Sequence, residues 1–199
     1  MMKLSYHHLF RKPPVLDNTV WLLGCSFIWG TAIADDQTIP YLLEKQIGYP
    51  VDNLGIQSAS PKLVHYVLND LLLTYKPRAI IISWPFINRT FELDFTGEIV
   101  NMGPWSLRPQ DSLAHTHPEL FEQYKNDIID KSLASRNRKL IANVFRTIVY
   151  PYLSFRILEL SEFVNNKHKF LDYAGDGMHP GPRTVNIVVD HMTRWYKKL

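Results

Sequence analysis

The stretch SPKLVHYVLNDLLLTYKPRAIIISW, Ser60 to Trp84, joins two segments with different hydrophobic periods. Between Ser60 and Pro77 the apolar residues recur every three or four positions, which indicates an amphipathic helix with Ser60 as its N-cap. Pro77 ends that pattern, and Arg78–Trp84 is apolar on both faces, as a strand is in the middle of a parallel sheet. A helix followed at once by such a strand is typical of a β-α-β unit.

The residues before Ser60 extend this alternation towards the N-terminus. Thr19–Gly24 and Val51–Gly55 are predicted strands, and the segment between Thr38 and Gly48 is a predicted helix. The order β-α-β-α-β predicts an α/β fold, a three-layer α/β/α sandwich with a parallel, flavodoxin-like sheet. We expect one domain over residues 1–199, with residues 1–17 as an N-terminal extension.

The second half of the chain is less regular. Residues 90–117 are predicted to form an insertion that contains a hairpin turning at Thr96–Gly97. Further predicted elements are helices at Pro118–Ile129 and Arg138–Val149, strands at Phe155–Leu160 and Lys169–Tyr173, and a closing helix over Pro182–Lys198.

Composition narrows the class of protein. Of the 199 residues, 46% are hydrophobic and 21% charged, and the net charge of +3 gives no reason to expect a nucleic-acid partner. The single cysteine, Cys25, excludes an internal disulfide. Because we find neither a signal peptide nor a run of about 18 apolar residues, we expect a cytoplasmic protein without a membrane span. We expect no cofactor, since the phosphate-binding glycine motifs are absent, and no metal site.

Two short loops carry residues suited to chemistry. Ser26 follows the first predicted strand at Gly24–Cys25, and the carboxyl ends of parallel strands form one edge where sites lie. Asp176 and His179 stand three residues apart in a glycine- and proline-rich loop, where the carboxylate can orient the imidazole. Taken singly, Ser26 is equally well explained as a helix cap, and D-x-x-H as an Asx-turn with a surface histidine.

At these residues the sequence resembles the SGNH (GDSL-like) hydrolase family, from about Val20 to the C-terminus. That family carries short motif blocks in a fixed order. Gly24–Cys25–Ser26 matches the first block, Gly55 the second, Phe86–Arg89 the third, and Asp176–His179 the last.

The resemblance implies a serine hydrolase that cleaves a carboxylic ester through an acyl-serine intermediate. Ser26 would be the nucleophile, His179 the general base and Asp176 the group that orients it. The oxyanion hole would be formed by the backbone N–H groups of Ser26 and Gly55 and the side-chain amide of Asn88. The implied substrates are esters of lipids, carbohydrates or small molecules.

The sequence also departs from the family pattern. Cys25 replaces the usual aspartate of the first block, Phe86 the glycine of the third block, and Arg89 its aspartate. The altered third block motivates an alternative, an inactive SGNH-like binding or structural module. An acyltransferase that uses the same serine is a second alternative, and a flavodoxin-like cofactor or phosphate binder is a third.

Overall fold

A computed structural model describes residues 6–108, 112–144, 146–156 and 170–199. These residues form six strands and seven α-helices. The strands are β1 Val20–Gly24, β2 Val51–Gly55, β3 Ala79–Ser83, β4 Thr90–Leu93, β5 Ile99–Met102 and β6 Tyr152–Phe155. The helices are α1 Ser26–Trp29, α2 Ile39–Ile47, α3 Pro61–Leu72, α4 Leu113–Thr116, α5 Pro118–Ile129, α6 Ser132–Val144 and α7 Pro182–Tyr196.

The central sheet has the order β2-β1-β3-β6, and all of its neighbouring strands are parallel. Strand β1 lies between β2 and β3, with Gly24 opposite Gly55 and Leu23 opposite Ile82. The chain leaves β1 towards one side of the sheet and later crosses to the other. The point where strand order reverses therefore lies beside the carboxyl end of β1, where open α/β sheets place their sites.

Alternate residues of the strands face two separate cores, which makes the fold three layers deep. Trp21, Leu23 and Ile82 pack with the apolar stripe of α3 and with α6 on one face. Leu22 and Ile81 pack with α2 and α7 on the other. Because helices cover both faces, every residue of β1 and β3 is buried. The predicted α/β/α sandwich with a parallel, flavodoxin-like sheet is confirmed.

Several element boundaries differ from prediction. Helix α3 ends at Leu72, before Pro77, and Leu73 is 85% exposed. Helix α6 begins at Ser132 rather than at Arg138. The fourth sheet strand is Tyr152–Phe155, because Tyr152 pairs with Ile80; residues 157–160 of the predicted strand lie outside the described residues.

The prediction of a fifth strand at Lys169–Tyr173 is wrong, because residues Phe170–Tyr173 do not form a strand. Lys169 lies outside the described residues. Tyr173 makes an isolated bridge to Pro180 instead of a ladder. Backbone groups of this segment bind the first turn of α7 instead. The N–H groups of Leu171 and Asp172 donate to the Thr184 hydroxyl at 3.1 and 3.3 Å. The Asp172 carboxylate in turn accepts from the N–H groups of Arg183 and Thr184, so this segment caps a helix.

Residues 6–17 pack closely on the sheet domain. Tyr6 is fully buried and donates to Asp70 at 2.6 Å. Arg11 donates to the carbonyl oxygens of Trp29, the last residue of α1, and of Gly30 and Ile33, which follow it. This segment therefore fixes the chain just beyond Ser26.

The predicted hairpin is confirmed: β4 and β5 are antiparallel, and the turn contains Thr96 and Gly97, with the Gly97 N–H donating to the Asp94 carbonyl. Across the described ranges, none of the helices combines the length and apolarity that crossing a membrane requires.

Candidate functional site

Ser26 is the first residue of α1, directly after the end of β1. A side chain at Gly24 would place its Cβ 2.5 Å from Ile28 Cγ1, so a glycine is needed for α1 to fold back against the strand. Cys25 continues in extended backbone and is buried. Ser26 is 8% exposed and lies on the cleft at the carboxyl edge of the sheet.

Asp176 and His179 form a hydrogen-bonded pair within one turn. Asp176 Oδ2 lies 2.5 Å from His179 Nδ1, and Oδ1 accepts from the N–H groups of Met178 and His179, each at 3.0 Å. Gly177 has φ 68°, the left-handed region that glycine tolerates best. Hydrogen bonds from the two backbone N–H groups and from His179 lower the pKa of Asp176 to about 2. The carboxylate is therefore ionised at neutral pH, and its contact with the His179 ring is made at Nδ1 rather than Nε2.

A chain of aromatic rings joins this turn to α1. The Phe27 ring contacts the His179 ring edge-to-face at 5.7 Å between centroids, and contacts Phe170 in the same way at 5.3 Å. Because Phe27 is adjacent to Ser26, this contact brings the two loops together. Ser26 and His179 line the same cleft.

The cleft has a volume of about 540 Å³. Five of its thirteen lining residues are Phe, Trp or Tyr, and its polar groups come from several loops. Its lining consists of Ser26, Phe27, Thr31, Gln57, Ser58, Phe86, Arg89, Trp105, Arg108, Phe170, Tyr173, Met178 and His179.

Gly55 lies beside this cleft without lining it. Its N–H donates to Asn53 Oδ1 at 3.1 Å, and a Cβ there would lie 2.4 Å from the backbone nitrogen of Trp29. Gly55 therefore allows α1 to pack directly on β2. A turn glycine could be predicted from the sequence, but the partner of its N–H could not.

Asn88 also lies outside the cleft lining. Its carbonyl oxygen accepts from the Tyr124 hydroxyl at 2.7 Å. The side-chain oxygen is buried, and within the described part of the chain it has no hydrogen-bond partner. Its role as an oxyanion donor stays a prediction.

Ser58 is a site residue that sequence reasoning missed. It lines the cleft with Ser26 and has φ 59°, an uncommon conformation for a residue that is not glycine. No hydrogen bond from its N–H to another described residue is found. The sequence carries no signal for this, since a serine in a polar loop does not by itself predict left-handed backbone.

Solved structures similar to this chain carry hydrolase names. One, assigned to the lipolytic G-D-S-L family, from Desulfitobacterium hafniense, has 14% identity and a TM-score of 0.49 over 90% of this chain and 99% of that one. A GDSL-like lipase from Bacteroides ovatus has 15% identity and a TM-score of 0.47, over 94% of this chain and 55% of that one. An acylhydrolase from Bacteroides fragilis has 13% identity and a TM-score of 0.44, over 92% and 91%.

No family model matches the sequence, and no curated protein matches it significantly.

Proposed function

We propose that this protein is a serine hydrolase of SGNH type that cleaves carboxylic esters. The observation that carries the proposal is the pairing of His179 with Asp176 at 2.5 Å on the cleft that Ser26 also lines. An imidazole oriented at Nδ1 by an ionised carboxylate presents a basic Nε2, and a serine hydroxyl needs such a base to become a nucleophile.

The reaction proceeds in two proton-balanced halves. Ser26 Oγ attacks the ester carbonyl carbon while its proton passes to His179 Nε2, and the tetrahedral intermediate then expels the alcohol, which takes that proton. Water next gives a proton to Nε2 and attacks the acyl-serine. Collapse of the second intermediate releases the acid and returns the proton to Ser26 Oγ. Asp176 stabilises the imidazolium in both halves.

The oxyanion needs N–H donors at the cleft. The Ser26 N–H is suited to this, since amides in the first turn of a helix lack intrahelical partners. For the second donor we propose Ser58 in place of Gly55: Ser58 lines the cleft, whereas the Gly55 N–H donates to Asn53. The side-chain amide of Asn88 is kept as the third proposed donor.

The test is labelling by a fluorophosphonate probe, which reacts with activated serines. We expect the probe to modify Ser26 in the folded protein and Ser26→Ala to abolish both labelling and ester hydrolysis. Ser135→Ala, which removes an exposed hydroxyl from α6, is the matched control and should react like the wild type. A folded wild-type protein that takes up no probe, or a Ser26→Ala variant that still does, contradicts the proposal.

A further inference from the structure

Among the described residues that line the cleft, the charged side chains are all positive. Arg89 and Arg108 line it, and no aspartate or glutamate is among the described lining residues. The acidic member of the proposed triad, Asp176, points its carboxylate at His179 and its own turn. The cleft beside Ser26 therefore has a positive wall without a compensating carboxylate from the described chain.

Arg89 is the more enclosed of these two cations. Its guanidinium lies 4.9 Å from the ring centroid of Phe86 and 4.8 Å from that of Trp105. Cation–π contacts of this kind hold the charged group in place without using its N–H donors. Nε and Nη1 are buried, and neither has a hydrogen-bond acceptor among the described residues. A buried, charged N–H group without an acceptor lowers the stability of the folded protein. Where such a group is kept, it commonly has a function, such as binding a ligand.

Arg11 provides a comparison within the same molecule. It too is largely buried, but its Nε donates to Asp35 and its Nη atoms donate to three carbonyl oxygens. The fold thus satisfies an arginine that has a structural role. Among the described residues Arg89 has no such set of acceptors, and it lines the same cleft as the proposed nucleophile.

Burial lowers the pKa of Arg89, and the neighbouring Cys25 thiol acts in the opposite direction through its charge and a side-chain hydrogen bond. A guanidinium remains protonated in proteins, so Arg89 carries its charge at neutral pH. A partly desolvated guanidinium binds carboxylate, sulfate or phosphate oxygens strongly, because two parallel N–H donors match two oxygens of the anion.

We infer that the ester substrate carries an anionic oxygen group, a carboxylate, sulfate or phosphate, which Arg89 binds beside Ser26. This inference rests on the proposed esterase function and names its substrate class. Arg108 adds positive charge at the same wall, and the aromatic rings accommodate the uncharged part of the ester.

The test compares two pairs of esters of similar size, each with one anionic and one neutral member. On the acyl side, 4-nitrophenyl hemisuccinate is paired with 4-nitrophenyl butyrate; on the alcohol side, 4-acetoxybenzoate is paired with 4-acetoxybenzamide. We expect the wild type to favour the anionic member of at least one pair in kcat/KM. In Arg89→Gln the anionic-to-neutral ratio for that pair should fall about tenfold or more, as expected for loss of a charge-assisted contact. The responding pair shows which side of the ester carries the charge.

Arg138→Gln is the matched control, because Arg138 is exposed on α6 outside the cleft lining. It removes the same charge from the molecule and should leave the ratio at its wild-type value. Equal ratios in Arg89→Gln and wild type, or an equal fall in Arg138→Gln, overturn the inference. If Arg89→Gln does not fold, sulfate is tested on the wild type. It should slow fluorophosphonate labelling with saturation, and chloride at equal ionic strength should not.

Failure of the two proposals can be told apart. A wild type that is not labelled at Ser26 and hydrolyses none of the four esters contradicts the esterase function. Labelling at Ser26 with no preference for either anionic ester, and no slowing by sulfate, contradicts the anion inference alone.

Discussion

Asp176 illustrates how much of the candidate site is decided within four residues. One carboxylate oxygen accepts hydrogen bonds from two backbone N–H groups of its own turn, and the other accepts a hydrogen bond from the imidazole of His179. These contacts are short-range in sequence, so D-x-x-H could be predicted to fold back. Which loops line the cleft could not be predicted in this way, because it depends on how separate segments of the chain pack. Ser58 lines the cleft and Gly55 does not, and the oxyanion donors stay a proposal.

We expect Asp176→Asn to lower kcat by about 10³–10⁴, the size of effect seen when a triad loses its carboxylate. The amide retains an oxygen for the backbone N–H groups but favours the wrong imidazole tautomer, so KM should change little. Steady-state kinetics on a neutral ester measure this. Asp36→Asn, an exposed carboxylate outside the cleft lining, serves as the control; a similar loss there would mean that the effect is not specific.

We expect Asp176→Asn also to change how the stability of the folded protein depends on pH. The folded-state pKa of Asp176, about 2, lies below the ordinary aspartate value of about 3.9. Ionised Asp176 therefore stabilises the folded state above about pH 4, and this contribution disappears as the pH falls through about 2. Urea unfolding should show wild type and Asp176→Asn converging over that interval. A constant difference from pH 6 to pH 2 would contradict the assignment.

At the scale of elements, the strongly periodic segments were predicted correctly, and two short, partly exposed segments were not. Strands β1 to β3 and helices α2, α3 and α7 have apolar patterns that local rules capture. Strand β6 and the Phe170–Tyr173 segment are short and partly exposed, and long-range partners decide their structure: Ile80 for the first and Thr184 for the second.

Helix α1 is the element whose position matters most to the site, and Gly55 sets how closely it packs on β2. We expect Gly55→Ala to destabilise the protein by about 1–3 kcal/mol, because the added Cβ would meet backbone atoms of Trp29 and Ile28 that cannot turn aside. Labelling of Ser26 by a fluorophosphonate should slow as well, since Ser26 begins the displaced helix.

Gly175→Ala is the stability control for this change. A Cβ at Gly175 meets no heavy atom within 4 Å, so its urea midpoint should stay near the wild-type value. Equal midpoints for Gly55→Ala and wild type would show that α1 is held in some other way.

At the scale of the whole molecule, the N-terminal segment and the sheet domain form one packed unit. Tyr6 and Leu16 belong to the core on the α3 face, and Asp52 accepts from the backbone N–H groups of Val15 and Leu16. Composition alone could not predict this packing, because the segment has no regular periodicity and its anchors are side chains on other elements.

We expect Arg11→Met to lower the free energy of unfolding by about 2–4 kcal/mol, because three carbonyl oxygens at the C-terminal end of α1 and just beyond it lose a charged donor. Ester hydrolysis should fall with it, since Ser26 begins the helix whose end these contacts hold. Urea unfolding and steady-state rates measure the two effects.

Lys12→Met is the matched comparison. Lys12 pairs with the same Asp35 as Arg11 does, but its side chain is 68% exposed and no contact with the carbonyl oxygens that Arg11 binds is found. Its urea midpoint should equal that of the wild type. Equal losses in the two variants would assign the effect to Asp35 rather than to the carbonyl oxygens.

The single thiol of the chain can report local opening of the structure next to the proposed nucleophile. Cys25 is 2% exposed at the junction of β1 and α1, so an alkylating reagent can reach it only while that junction is open. At reagent concentrations where reclosing is faster than alkylation, the rate of modification in native buffer therefore measures the fraction of molecules that are open next to Ser26. Cys25 is the single cysteine of the sequence, so all of the signal comes from this junction.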